Sequence, residues 1–125
     1  MGAGAGQALL DAVEDLIESL AGAGVGAALD PDSVPIPGAW VSPRTLDLTG
    51  DGATLAGGGT AAVHLYLVAS DSGEESYVLA TLAGLLDKVL PLVTLGDLED
   101  IDVGSSLSLP TGIVPAFRLQ ITLDI

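Results

Sequence analysis

His64 is the one histidine of the chain, and imidazole is the side chain best suited to moving protons near neutral pH. A Ser-His-Asp enzyme would set it beside a positioned nucleophile, but no G-x-S-x-G elbow occurs. A metal site would need carboxylates for every other ligand, because the chain has no cysteine. His64 is therefore expected to fill a sheet face or a subunit contact. Asp97, Glu99, Asp100 and Asp102 offer oxygen ligands of the kind Ca²⁺ takes, yet their spacing lacks the central glycine and terminal bidentate glutamate of an EF-hand loop. They read as a solvated acidic loop, and Asp47 and Asp51, around Gly50, read as turn residues. Gly22-Ala23-Gly24-Val25-Gly26-Ala27 has the letters of a dinucleotide fingerprint. That mechanism needs a strand before it and a helix after it, whereas these letters follow a helical pattern and lead into a proline loop, as a helix C-cap does. With no carboxylate pair in an acid/base setting either, no catalytic, cofactor or metal site is expected.

The rare residue types concentrate elsewhere. Pro37-Gly38-Ala39-Trp40-Val41-Ser42-Pro43-Arg44 holds the only tryptophan and one of two arginines, with prolines bracketing the tryptophan. The segment reads as a stiff loop feeding a strand. Trp40 and Arg44 share a strand face if Pro43 leaves the register intact. The plain reading is a core tryptophan near the sheet rim with Arg44 reaching solvent. The sharper one is an interface anchor, since Trp and Arg are enriched at binding hot spots.

Seventeen acidic residues face three basic ones, for a formal charge of −14. Nucleic-acid binding needs clustered Lys and Arg, and Arg44, Lys88 and Arg118 are scattered along the sequence. A surface of this sign repels DNA and anionic membranes; solubility, or a halophilic habit, accounts for it most simply. Arg44 and Arg118 are expected to find acidic partners, some of them on another subunit. The N-terminal Met1-Gly2-Ala3-Gly4-Ala5-Gly6 lacks the basic start of a secretory signal and has Gly where a myristoylation signal has Ser or Thr. The longest apolar stretch, around Leu82–Val93, is interrupted by Asp87 and Lys88, so no membrane span is expected.

These residues must be positioned by a core with 3% aromatics and 49% hydrophobic residues over 125 positions, hence by Leu, Val, Ile and Ala in a single domain, 1–125. Leu9, Leu10, Val13, Leu16, Ile17 and Leu20 predict an amphipathic helix over about 7–21, ended by Gly22 and Gly24. A short extended piece at 27–29 and a proline loop follow. Trp40–Leu48 reads as a strand with Trp40, Leu46 and Leu48 on one face, then a turn and the flexible Gly57-Gly58-Gly59. Thr60–Ala69 is the next strand, with Val63, Leu65 and Leu67 on one face and Ala62, His64, Tyr66 and Val68 on the other. Both faces are apolar, so a neighbouring subunit is expected to cover the second. Ser72-Gly73-Glu74-Glu75 has the form of a capping box for a helix over about 73–90, with Lys88 in its last turn. A loop over 94–102, a short strand over 105–109, and a strand over 116–125 complete the order α-β-β-α-β-β. In that last strand Phe117, Leu119, Ile121, Leu123 and Ile125 alternate with Arg118, Gln120, Thr122 and Asp124, which makes it a full sheet member. The expected class is α+β, one mostly antiparallel sheet with two helices packed on one face.

Taken together, the amphipathic helix, Leu29-Asp30-Pro31, Pro37-Gly38-Ala39-Trp40-Val41-Ser42-Pro43, the strand Val63–Val68, the helix end Leu85-Leu86-Asp87-Lys88-Val89-Leu90-Pro91 and the closing strand Pro115–Leu123 give the layout of a known group. The chain resembles the small tail terminator and head–tail joining proteins of long-tailed, siphovirus-type bacteriophages, particularly those of actinobacterial hosts. The resemblance spans nearly the whole chain, with PGAWVSP its most distinctive motif. It implies a structural virion protein rather than an enzyme: a homo-oligomeric, usually hexameric, ring at the head-proximal end of the tail tube. Such a ring stops tube polymerisation and joins the tail to the head connector. The implied partners are further copies of the chain, the tail tube protein and the connector or stopper protein. DNA passes through the lumen without specific binding, and no membrane is involved. The implied location is the tail–neck junction of the virion, after assembly in the host cytoplasm. Trp40, Arg44, His64, Tyr66 and Arg118 are the candidate interface residues, with the acidic loop at Asp97–Asp102 and the loop at Gly50–Gly59 as candidate contacts to axial neighbours. The alternatives are another neck component, an adaptor or stopper, and a soluble acidic ligand-binding domain.

Overall fold

The computed structural model of the chain describes residues 5–47, 60–70, 75–92, 98–110 and 112–124. Its elements are α1 (Ala5–Gly22), β1 (Ala27–Ala28), β2 (Gly38–Asp47), β3 (Thr60–Val68), α2 (Glu75–Val89), β4 (Leu98–Leu109) and β5 (Gly112–Asp124), with short 3-10 turns at Pro31–Ser33 and Leu90–Leu92. The class is α+β, as expected: two helices and a five-stranded, mostly antiparallel mixed sheet in the order β1-β2-β3-β5-β4. The element order is α-β-β-β-α-β-β rather than α-β-β-α-β-β. The additional strand is β1, two residues that pair in parallel with Ala39 and Trp40 of β2.

The helical period of α1 sets its buried side. Val13, Leu16 and Leu20 reach the core while Leu9 and Ile17 pack at its edge. The helix stops at the glycines through two reversed bonds, Val25 N–H to Leu20 O (2.8 Å) and Gly24 N–H to Ala21 O (3.0 Å). This is a Schellman motif, whose left-handed position suits glycine; Gly24 has φ +88°. Leu20 and Val25, which flank the motif, are both fully buried. The cap reading of Gly22–Ala27 therefore holds. Lys88, in the last turn of α2, also brings its Nζ close to Gly24 (3.9 Å from where a side chain there would start). It thus stands at the carboxyl ends of both helices, where their dipoles favour a cation.

The proline loop is held against the sheet by backbone. Gly26 O accepts from Ala39 N–H at 2.8 Å, and the Ile36–Pro37 peptide is cis. A Cβ on Gly38 would fall 2.5 Å from Pro35 O and 2.8 Å from Gly26 O, so the glycine of PGAW is required by close backbone approach.

Both helices pack on one face of the sheet. Val13, Leu16 and Leu20 of α1 and Val78, Leu82, Leu85 and Val89 of α2 form one core with Val41, Val63, Leu65, Leu67, Phe117, Leu119 and Ile121. Burying each such Leu, Ile or Phe contributes roughly 1.5–3 kcal/mol. The alternation read along β3 and β5 is observed.

Three expectations are corrected. The run 98–102 is strand rather than loop: β4 begins at Leu98, and Asp100, Ile101 and Asp102 pair with Gln120, Leu119 and Arg118. Acidic residues are depleted in strands, but β4 is an edge strand, where charge is tolerated and blocks unwanted pairing. Asp47 is the last residue of β2, within the strand read over 40–48, and adjoins the turn read around Gly50. The even alternation read from Trp40 to Leu46 is broken, because the register shifts between Pro43 and Thr45: Trp40 pairs with Tyr66 and Leu46 with Ala61. Finally, part of the second sheet face is covered by the chain itself. Leu107, Leu109 and Val114, from the end of the β4–β5 hairpin, bury Val68 and Ala116, with Val34 and Trp40 at the margin. The Gly50–Gly59 connection, Ser72–Glu74 of the capping box, Asp97, Ile125 and the N-terminal Met1–Gly4 lie outside the described residues.

Candidate functional site: the outer sheet face

Cross-strand pairing builds rows on the face away from the helices. One row runs Trp40, Tyr66, Arg118, Asp102 across β2, β3, β5 and β4; the next runs Ser42, His64, Gln120, Asp100. Directly opposed residues share a face, so four of the five sequence-predicted residues, Trp40, His64, Tyr66 and Arg118, are neighbours on it. Arg44 has no ladder partner: it lies in the irregularity between Pro43 and Thr45 and lines a groove with Leu9, Pro43 and Thr45, which places it at the β2 rim of the face. Pro43 has no N–H to give the ladder, and an extra residue beside it re-aims the strand. Arg44 is close enough to His64 to act on its charge, as is Arg118.

The aromatic residues form a connected group. The Trp40 and Tyr66 rings stack with centroids 5.3 Å apart and planes 27° apart, an arrangement that aromatic quadrupoles favour. Trp40 Nε1–H donates to Leu29 O at 2.8 Å, which ties the loop after β1 to β2. His64 meets Tyr66 edge-on at 6.1 Å.

Charge is arranged around His64. Partial burial holds its pKa below the ordinary 6.5, and the guanidiniums of Arg118 and Arg44 lower it further. At neutral pH the ring is therefore neutral. Its Nδ1 is buried and has no hydrogen-bond partner among the described residues. Arg118 Nη2 lies 3.6 Å from Asp102 Oδ2, with the two side chains 34% and 41% exposed, so this pair contributes little stability. The Asp102 carboxylate is held below its ordinary pKa first by the Gly104 N–H, which donates to Oδ1 at 2.9 Å, then by the Ser105 hydroxyl and Arg118. Two of the three cations of an acidic chain thus lie near its one histidine, Arg118 on the sheet face and Arg44 at the β2 rim, while Lys88 stands at the helix ends. Guanidiniums beside a neutral imidazole are suited to taking up carboxylates.

Other surfaces offer less. Leu9, Leu10, Val13, Leu29 and Pro43 line an open apolar groove of about 140 Å³, below the size of most small-molecule sites. Among the described residues no group of His, Asp and Glu could hold a metal ion, and no helix is long and apolar enough to cross a membrane. Residue pattern alone did not mark Ser42, Gln120, Asp100 and Asp102 as members of the face. The signal for them was Asp100 and Asp102, two apart as Arg118 and Gln120 are, which pair once 98–102 is taken as strand. Compared with protein-family models, curated proteins and solved structures, the chain gives no match.

Proposed function

We propose that this chain is a structural virion protein, a tail terminator that assembles with copies of itself into a ring, hexameric by the resemblance of its sequence. The ring closes the head-proximal end of a phage tail tube and presents a surface to the head connector. The observation that carries this reading is the outer sheet face. Its Trp, Tyr and Arg are the residue types enriched where proteins bind one another, and they are gathered on a face that the chain's own hairpin covers only at one end. The role is assembly rather than catalysis, and the tube and connector are its further partners. An acidic ring lets DNA slide through without gripping it.

Light scattering with negative-stain microscopy of the purified protein at high concentration tests the reading. Toroids with a mass several times 12.4 kDa are expected; a 12.4 kDa species across all concentrations and salt conditions would contradict self-assembly.

A further inference from the structure

We infer that the outer sheet face of one copy receives the acidic face of α1 of the next copy, with Arg44 and Arg118 set against Asp11, Glu14, Asp15 and Glu18. The inference rests on the self-assembly proposed above and names its contact.

Charge complementarity carries it. The four acids of α1 recur at i, i+3, i+4 and i+7, all exposed and on the side opposite Val13, Leu16 and Leu20. Like charges at these spacings repel, and α1 has no Lys or Arg of its own to offset them. The matching cations are on the sheet. Arg44 is exposed and has no ion-pair partner among the described residues, and the ion pair of Arg118 with Asp102 is solvent-exposed. The spans are comparable as well. Asp11 to Glu18 runs roughly 10 Å along the helix backbone; Arg44 and Arg118 stand two strand spacings and about three residues apart, roughly 13 Å on the diagonal, a distance the long side chains on both surfaces can bridge.

The fold then sets the geometry. α1 and the outer sheet face lie on opposite sides of a two-layer molecule, so the contact is front to back. Such heterologous contacts close into rings when the rotation allows and run on as filaments when it does not. The sheet edges compete poorly for this task. At one edge β1 covers only Ala39 and Trp40 of β2, and the rest of β2 carries Pro43 and the register shift beside it; at the other, β4 has irregularities at 98–100 and 102–105. Both devices discourage strand-to-strand pairing.

Charge reversal tests the contact, read by light scattering on variants whose circular dichroism matches the wild type. Arg44→Glu is expected to weaken self-association about tenfold or more, and Glu14→Arg with Glu18→Arg to do the same. Combining the three changes should recover association to within roughly threefold of wild type. Arg44→Gln, which only removes the charge, should fall between wild type and Arg44→Glu. If Arg44→Glu assembles as the wild type does, another partner occupies this face and the contact is overturned while the ring reading stands. A combined variant no better than its parents also overturns it. A wild type that never self-associates would remove the ring reading and this contact with it.

Discussion

Trp40 stacks on Tyr66 across the β2–β3 ladder, ring centroids 5.3 Å apart, on the sheet face that the helices leave open. The same indole reaches back through Nε1 to the Leu29 carbonyl and packs against the second apolar cluster. Trp40 is therefore both a pin for the proline loop and part of the outer sheet face proposed above as the contact surface. Trp40→Ala should cost the isolated subunit about 2–3 kcal/mol, less than a fully buried aromatic would. Trp40→Phe, which keeps the stacking and loses the bond to Leu29, should cost about 1 kcal/mol. Urea unfolding of dilute protein checks both values; a loss near zero for Trp40→Ala would mean that the indole holds nothing within the subunit.

Gly38 gives a second, local prediction. Because a Cβ there meets two backbone oxygens, Pro35 O at 2.5 Å and Gly26 O at 2.8 Å, neither of which can swing aside as a side chain can, Gly38→Ala should destabilise by roughly 2 kcal/mol or more. Gly84→Ala is the control. Its Cβ would meet nothing within 4 Å, and helical propensity favours alanine by about 1 kcal/mol, so thermal unfolding should move up for this variant and down for Gly38→Ala.

The His64 environment predicts a pH dependence with a definite sign. Its folded pKa lies below 6.5 through burial, Arg118 and Arg44, so the unfolded chain binds the proton more readily. Stability is full above that value and declines as pH falls through it towards the folded pKa. Asp102, held below the ordinary 3.8, acts in a lower window: its contribution is present above the ordinary value and is lost as pH falls through the folded one. His64→Gln should flatten the stability slope between neutral pH and pH 5 and leave the acid limb below pH 4 unchanged, as denaturant midpoints would show. An unchanged slope in the variant would place the titrating group elsewhere.

Salt should act on assembly in two opposing ways. Copies carrying −14 each repel at long range when the Debye length is about 30 Å, at roughly 0.01 M, and much less when it is about 8 Å, near 0.15 M. Contact ion pairs persist at that point and weaken towards 1 M, where the length is about 3 Å. Association measured by light scattering should pass through a maximum with rising salt. A steady rise to 1 M would mean that ion pairs contribute nothing to the contact.

What the sequence made legible follows period and punctuation. The two helices were readable from apolar spacing, the end of α1 from Gly22 and Gly24, and the two faces of β3 and β5 from strict alternation. Trp40, His64, Tyr66 and Arg118 are rare types in this sequence, and strand pairing brings them together. Three features depended on tertiary pairing and left weak local marks. The start of β4 was hidden because Glu99, Asp100 and Asp102 favour loops, and only its ladder with β5 makes 98–102 a strand. The irregularity beside Arg44 was hidden because a one-residue insertion does not change composition, though Pro43 pointed to it. The cover over Val68 came from Leu107, Leu109 and Val114, distant in sequence, rather than from a second subunit.

The central claim is that the outer sheet face is where copies meet, and Trp40, the only tryptophan, reports on it directly. Acrylamide quenching of its fluorescence, followed over the concentration range in which light scattering records assembly, should fall by about half or more as the indole becomes shielded. Quenching that stays constant while the mass rises several-fold would show that the copies meet through another surface, and would contradict the account.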